Sequence, residues 1–130
     1  MIIDPKTFER FNAVLTGVIV PRPIAFVSTM SPDGEVNLAP YSFFNAVSYS
    51  NVVFSSSRHV GHKSKDTLRN IEETGEFVVN IVVDSIAEAM NATAAEYTEG
   101  EDEFGIAGLT HAPSQIVKPP RVAESPVNIE

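Results

Sequence analysis

The sequence predicts a mainly β fold, an antiparallel barrel with a few flanking helices, in one domain that covers residues 1–130. Segments rich in β-branched and aromatic residues are short, turn signals separate them, and only two or three segments have helical spacing. Short strands joined by tight turns favour an antiparallel barrel over a parallel sheet, which needs a helix between successive strands. A chain of 130 residues is long enough to bury one core.

The first half of the chain carries three predicted strands. Residues 8–16 are predicted as a short helix, and residues 24–30 as the first strand. Ser31-Pro32-Asp33-Gly34 matches a β-turn, because proline presets φ, aspartate bonds its own backbone and glycine accepts positive φ. Residues 35–39 then return as a hairpin with the first strand, and residues 51–57 are the third strand.

The second half opens with a predicted helix at residues 64–74, and Gly75 stands where a C-terminal cap belongs. Residues 77–83 form the strongest predicted strand. Both of its faces are apolar apart from Asn80, which predicts burial on both sides. The sequence Ser-Ile-Ala-Glu at residues 85–88 matches a capping box that begins another helix.

The last third of the chain is expected to contain a loop and one further strand. Residues 96–103 carry five acids, and this acidic run is typical of a solvated loop. Lys118-Pro119-Pro120 leads into a final strand at residues 121–130, which brings the predicted total to five strands.

Charge and composition exclude several functional classes. The formal net charge of −8 argues against nucleic acid and anionic membrane as partners, since both need clustered Lys and Arg. The chain has no cysteine, so redox chemistry would have to come from a bound cofactor. The N-terminus lacks a signal-peptide pattern and the apolar runs are too short to span a bilayer, so a cytoplasmic location is expected.

The first candidate site is the basic segment at residues 58–69. It holds four of the nine cationic residues of an acidic chain, and it ends where a helix begins. Helix N-termini favour phosphate, and Ser64 and Thr67 could add hydroxyl donors. A solvated basic loop is the simpler interpretation of these residues taken alone. The four cationic residues are Arg58, Lys63, Lys65 and Arg69.

The second candidate site is the segment at residues 37–48, which mixes small polar side chains with aromatic ones between two strands. A flat heteroaromatic ring needs apolar walls and a few convergent donors, and Ser42 and Asn45 could supply those donors. An ordinary aromatic corner of the core explains the same composition equally well.

Other chemistry has little support in the sequence. His59 and His62 form an H-x-x-H without the further ligands that zinc needs, so no metal site is expected. Asp102 and Glu103 fall in the acidic run and are expected on a solvated face, and His111 has no assigned role. No serine lies in a nucleophile elbow, and no side chain is predicted to be catalytic.

Several stretches of the chain form a recognisable set when they are taken in order. They are Arg22-Pro23-Ile24-Ala25, Val27-Ser28-Thr29, Asp33-Gly34, residues 37–45, Lys65-Asp66-Thr67, Asn70-Ile71, residues 74–80, Glu103-Phe104, residues 107–110, residues 119–122 and residues 124–127. The set runs over nearly the whole chain and resembles the flavin reductase-like family with an FMN-binding split barrel, in particular its flavoredoxin-like branch.

The resemblance implies a split β-barrel and a homodimer that holds FMN non-covalently near the subunit interface. Members of the family reduce flavin with NADH or NADPH, or pass electrons through bound FMN to a redox partner protein. In either case the isoalloxazine ring is the electron sink, so no catalytic side chain is implied.

The resemblance also implies which residues contact the cofactor. At the end of the first strand these are Ser28 and Thr29. The segment that borders the ring and the ribityl chain contains Ala39, Tyr41, Ser42 and Asn45. The ribityl and phosphate end is assigned to Ser55, Ser57, Lys65, Asp66 and Thr67.

Two features depart from the family pattern. Ser50-Asn51 stands where family members often have a proline pair. The family also continues beyond the strand containing Glu124-Ser125-Pro126, so the C-terminal part of its fold is expected to be missing here. Two alternative functions stay open at this point: an electron carrier without a small-molecule substrate, and a shortened remnant that dimerises without binding flavin.

Overall fold

A computed structural model describes residues 2–56, 65–95, 97–98 and 100–130. These residues form short strands and helices, with one 3₁₀ turn at Asp84–Ile86. In chain order the elements are α1 (Phe11–Val18), β1 (Ala25–Met30), β2 (Val36–Tyr41), β3 (Phe44–Ala46), β4 (Val52–Phe54), α2 (Asp66–Thr74), β5 (Val78–Ile81), α3 (Ala87–Ala92), α4 (Glu103–Ala107), β6 (His111–Ala112), β7 (Arg121–Val122) and β8 (Asn128–Ile129).

The central sheet has four strands in the order β2-β1-β5-β8, and every neighbouring pair is antiparallel. Two smaller antiparallel pairs, β3-β4 and β6-β7, complete the strand pairing among the described residues. The predicted antiparallel, mainly β architecture is therefore confirmed. No helix in the described ranges is long and apolar enough to cross a membrane.

The hairpin of β1 and β2 forms as the turn signal predicts. Its register runs from Ala25 opposite Tyr41 to Met30 opposite Val36. Gly34 closes the turn with φ of +90°, a left-handed value that glycine adopts without a steric penalty. Its N–H donates to the carbonyl oxygen of Ser31 at 3.0 Å.

Side chains alternate between the two faces of the central sheet along each strand. Both faces are buried, each by its own cluster of side chains. One face carries the cluster of Ala25, Val27, Tyr41 and Val79, packed against aromatic side chains of β3 and β4. The opposite face carries Phe26, Leu38, Phe104 and Val122, so α4 and β7 cover that side. The predicted two-sided burial of β5 is confirmed.

Asn80, the one polar residue of β5, has its whole carboxamide group hydrogen-bonded. Its Nδ2 donates to the carbonyl oxygen of Phe26 at 2.9 Å and to the Ser28 hydroxyl at 3.2 Å. Its Oδ1 accepts from the N–H of Val122 at 2.9 Å and from Nδ2 of Asn128 at 2.8 Å. This side chain therefore joins β1 to both C-terminal strands.

The C-terminal segment differs from the predicted single strand. Residues 121–130 form β7 and β8, and a turn lies between them. Ser125 lies in that turn, where its hydroxyl donates to the carbonyl oxygens of Ile81 at 2.8 Å and Val127 at 2.9 Å. Pro126 has no N–H to donate to a sheet, which favours a break in the strand at this point.

One further sequence prediction needs correction. The capping box is wrong, because Ser85 lies inside the 3₁₀ turn and no side chain of the described residues caps α3. The predicted loop before Glu103 is confirmed at residues 97–98 and 100–102, and α4 begins at Glu103. The strands β3 and β6 were not predicted. By contrast, Gly75 caps α2 with φ of +73°, as predicted, and its N–H donates to the carbonyl oxygen of Ile71 at 2.8 Å.

Candidate functional site

Helix α2 lies against the β1-β2 hairpin through two polar side chains. Thr67 and Asn70 are the buried residues of this helix, and they are 1% and 2% exposed. Nδ2 of Asn37 donates to Oγ1 of Thr67 at 2.8 Å, and Nδ2 of Asn70 donates to Oγ1 of Thr29 at 3.1 Å. These contacts place the first turn of α2 beside the end of β1 and the start of β2.

The N-terminus of α2 has the properties of an anion site. Lys65 is its extended N-cap residue, and no side chain within the described ranges caps the helix. The first N–H groups of a helix lack partners within the helix and lie at the positive end of its dipole. The guanidinium of Arg69 pairs with the Asp66 carboxylate at 3.0 Å, which offsets the one negative charge in the first turn.

Lys65 lies next to an unpartnered buried hydroxyl. Its ammonium nitrogen is 5.6 Å from the centre of the Tyr41 ring, and that ring packs on Phe54 with centroids 5.2 Å apart. The Tyr41 hydroxyl is buried and has no hydrogen-bond partner among the described residues. A buried unsatisfied hydroxyl is costly, so the site fits a ligand with polar groups next to a phosphate, as FMN has. The residues present therefore fit the cofactor that the resemblance implies.

The β3-β4 hairpin and the bend before it carry three of the predicted cofactor contacts. Phe44 lies opposite Phe54, and the ladder continues where the N–H of Ser55 donates to the carbonyl oxygen of Phe43 at 2.9 Å. Phe44 packs on the central sheet, and Ser42 is partly buried in the bend between β2 and β3. Asn45 and Ser55 share the outer face, and both are exposed.

Other predicted contacts lie in the interior. The hydroxyls of Ser28 and Thr29 are buried, and the Ser28 hydroxyl donates to the carbonyl oxygen of Pro120 at 2.6 Å. Ala39 packs against the cluster that contains Tyr41. Ser57 lies outside the described residues, as does most of the predicted basic segment: Arg58, His59, His62, Lys63 and Ser64.

Two residues next to the sheet carry features that the sequence did not indicate. Glu103 is half-buried rather than on a solvated face, and its Oε2 accepts from the N–H of Leu38 at 3.4 Å. Burial raises the pKa of this carboxyl group above its usual value, and the charges of Asp66 and Asp102 add to the shift. His111 lies against the ring of Phe104, with centroids 4.1 Å apart. No group of three metal-ligating side chains occurs in the part of the chain that the structure describes.

A comparison with protein-family models matches residues 17–130 to the flavin reductase like domain. An uncharacterized protein of Aquifex aeolicus is 44% identical over 131 residues, which cover 99% of this chain and 67% of that relative. The match with an uncharacterized Bacillus subtilis protein, YwrF, is 42% identical over 128 residues and covers 98% of this chain and 62% of the relative. The chain thus spans about two thirds of the length of these relatives.

Solved structures also match nearly the whole of this chain and about two thirds of their own length. The structure of nitrilotriacetate monooxygenase component B from Bacillus cereus matches with a TM-score of 0.87 and 39% identity, over 98% of this chain and 65% of that one. A split-barrel protein from Shewanella frigidimarina matches with a TM-score of 0.75 and 23% identity, over 98% and 66% of the two chains. Flavoredoxin of Desulfovibrio vulgaris matches with a TM-score of 0.73 and 21% identity, over 95% and 62%. The antiparallel sheet described above is that of a split barrel.

Proposed function

The chain belongs to the flavin reductase-like family, and we propose that it binds FMN non-covalently and takes part in flavin-dependent oxidation and reduction with NADH or NADPH as the donor. The observation that carries this proposal is the N-terminus of α2, which no side chain of the described residues caps and whose Lys65 lies 5.6 Å from the ring centre of Tyr41. The Tyr41 hydroxyl is buried and has no partner within the described ranges. A cationic side chain, N–H groups without a partner inside the helix and a buried hydroxyl together match a phosphate on a polyhydroxylated chain.

In this proposal the phosphate end of the cofactor lies at α2. Lys65 supplies an ammonium group, while Asp66 and Thr67 supply main-chain N–H groups of the first turn. Arg69 keeps the Asp66 carboxylate paired, so that this carboxylate repels the phosphate less. Ser55 and Ser57 complete the ribityl and phosphate end.

The flavin ring then lies along the end of β2 and the start of β3. Ala39 and Tyr41 border it from the sheet, and Ser42 and Asn45 provide polar contacts. Ser28 and Thr29 belong to the neighbouring strand β1, where their hydroxyls are engaged in hydrogen bonds within the chain, so they support the ring end of the site from the sheet.

We also propose a homodimer as the binding unit. The β3-β4 hairpin and its flanking residues expose three apolar side chains, Phe43, Val47 and Val53, and Val53 is paired with Asn45 on the outer face. Adjacent exposed apolar side chains are typical of an interface, and a second copy would cover them while it closes over the cofactor.

The chemistry needs little from the side chains. Bound flavin supplies the acceptor for hydride from the nicotinamide, so the chain has to bind the cofactor, orient it and exclude water from one face. The matched Bacillus cereus protein is named as component B of a monooxygenase, a name that implies a second component. This supports a redox partner protein as the final acceptor.

Titration with FMN followed by mixing with NADH or NADPH tests the proposal. We expect quenching of flavin fluorescence on titration and prompt bleaching of the flavin absorbance after the nicotinamide is added. Binding without bleaching would indicate an electron carrier instead of a reductase. A chain that takes up no FMN would contradict the proposal and favour a remnant that no longer binds flavin.

A further inference from the structure

Helix α2 is held on the sheet in an unusual way. A helix that packs on a sheet normally buries an apolar stripe, yet the two almost fully buried residues of α2 are Thr67 and Asn70. Its apolar residues Leu68 and Ile71 stay partly exposed. The position of this helix therefore depends on directional hydrogen bonds more than on apolar contact.

We propose that Thr29, Asn37, Thr67 and Asn70, here called the Asn–Thr quartet, position the first turn of α2 so that its N–H groups and Lys65 meet the phosphate of the cofactor. Asn37 and Asn70 act as positioning residues and contact no ligand. The inference rests on the proposed binding of FMN at α2, and it adds residues to that site that neither the motifs nor the family match assigns to it.

The geometry of the quartet fixes the helix in two directions. Thr67 and Asn70 are three residues apart on α2, so they share one helix face. Thr29 and Asn37 are paired across β1 and β2, so they lie side by side on one sheet face. The two bonds between these pairs, 2.8 and 3.1 Å long, resist both sliding and rotation of the helix.

A small displacement of the helix would break the quartet. A slip by one residue moves an α-helix by about 1.5 Å, which is enough to separate both donor–acceptor pairs. The four side chains are buried, so each separated group would lose its partner without gaining water. A purely apolar contact tolerates such a slip, and polar docking therefore specifies one position of the first turn.

Strand β2 links this docking to the ligand site. Asn37 and Tyr41 lie four residues apart on the strand, so their side chains point to the same face. Asn37 holds Thr67, the second residue of α2, and Tyr41 lies beneath the ammonium group of Lys65. One strand thus fixes both the helix that presents Lys65 and the Tyr41 ring beneath its ammonium group.

Asn70 supplies independent support. Its Oδ1 is buried without a hydrogen-bond partner among the described residues, while its Nδ2 holds Thr29. An apolar residue of similar size would avoid the cost of this unsatisfied oxygen. The directional bond to Thr29 is what an apolar residue could not provide.

The test compares the affinities for FMN and riboflavin, which differ only in the phosphate. The variant combines Asn37→Leu with Thr67→Val, because removing both partners of a buried hydrogen bond leaves no orphaned group. We expect the preference for FMN over riboflavin to fall on the order of tenfold, with riboflavin affinity nearly unchanged. Thr67→Ser keeps the hydroxyl and should retain the preference.

Thr93→Val is the matched control. Thr93 is another buried threonine, and its hydroxyl donates to the carbonyl oxygen of Met90 at 2.9 Å in α3, away from α2. It should leave the FMN preference unchanged. An unchanged preference in the folded Asn37→Leu/Thr67→Val variant would overturn the inference.

Amide hydrogen exchange gives a readout that does not depend on the cofactor. The N–H of Arg69 donates to the carbonyl oxygen of Lys65 at 3.1 Å, so it reports the first turn of α2. In Thr67→Val it should exchange faster than in Thr93→Val, and equal rates would overturn the inference. A parent chain that binds FMN no better than riboflavin would contradict the proposed phosphate site instead, and the exchange rates would still decide the role of the quartet.

Discussion

The ammonium group of Lys65 lies 5.6 Å from the centre of the Tyr41 ring, so the exposed start of α2 meets the buried end of β2 at this point. The ring face carries partial negative charge, which favours the cation above it. A ligand phosphate at the helix N-terminus would meet the same cation from the solvent side. This pair of residues therefore joins the two segments that the sequence nominated separately as candidate sites.

Removal of the Lys65 ammonium should weaken FMN binding selectively. A charged hydrogen bond to phosphate is worth roughly 1.5–3 kcal/mol, so Lys65→Ala should raise the Kd for FMN about tenfold to a hundredfold. Riboflavin lacks the phosphate and should bind the parent and the variant almost equally. Fluorescence-quenching titrations with both ligands make the measurement, and Lys6→Ala is the control because Lys6 is also exposed but lies near the N-terminus. Equal losses for both ligands would assign Lys65 to the fold or to the ring site.

Asn80 should contribute strongly to stability. Asn80→Ala removes the acceptor of the Val122 N–H and the donor to the Phe26 carbonyl oxygen in a fully buried environment. Losing these bonds should lower the free energy of unfolding by about 2–4 kcal/mol. Urea denaturation measures the change, and Asn91→Ala on the exposed side of α3 should be nearly neutral. A loss below about 1 kcal/mol for Asn80→Ala would contradict the role assigned to its carboxamide.

The sequence predicted those elements that local signals define. The β1-β2 turn contains the residues that its dihedral angles require, and Gly75 ends α2 in the left-handed conformation that favours glycine. The two-residue strand β6 carries no such signal, since only its pairing with β7 makes it a strand. Helix α4 was missed because it has five residues and contains Gly105, a poor helix former.

The candidate site was predictable only where local sequence signals define it. Lys65 and the helix start could be located from composition and spacing. The partners of Thr29 and Thr67 depend on how α2 lies across the hairpin, which brings together residues 30 to 41 positions apart. No local pattern encodes such a contact, so the hydrogen bonds that Thr29 and Thr67 make within the chain could not be predicted from the sequence.

The half-buried Glu103 should give stability an unusual pH dependence. Burial raises its pKa in the folded chain, so its contribution is fully present below the ordinary value of 4.5 and is lost as pH rises through the raised pKa. Glu103→Gln keeps an oxygen for the Leu38 N–H and removes the charge. Relative to this variant, the parent should lose stability as pH rises from 4.5 toward neutral, as measured by urea denaturation at several pH values.

Glu101→Gln provides a control with the opposite sign. Hydrogen bonds from the Thr98 side chain and backbone lower the pKa of Glu101, so its contribution is present at neutral pH and is lost as pH falls through the lowered pKa. If Glu103→Gln and Glu101→Gln changed the pH dependence of the unfolding free energy in the same direction, the burial of Glu103 would not explain its effect.

The outer face of the β3-β4 hairpin should mediate dimerisation and, through it, cofactor binding. Val53→Glu places a charge among the exposed apolar side chains of this face, and desolvating that charge in an interface is unfavourable. We expect light scattering to show a dimer for the parent and a monomer for the variant, with weaker binding of FMN and riboflavin alike because the ring end of the site loses its cover. Val127→Glu is the matched control, since Val53 and Val127 are 49% and 52% exposed and Val127 lies next to β8, away from the hairpin. A Val53→Glu variant that remained dimeric would place the interface elsewhere, whereas a monomeric variant with unchanged FMN affinity would separate the cofactor site from the dimer.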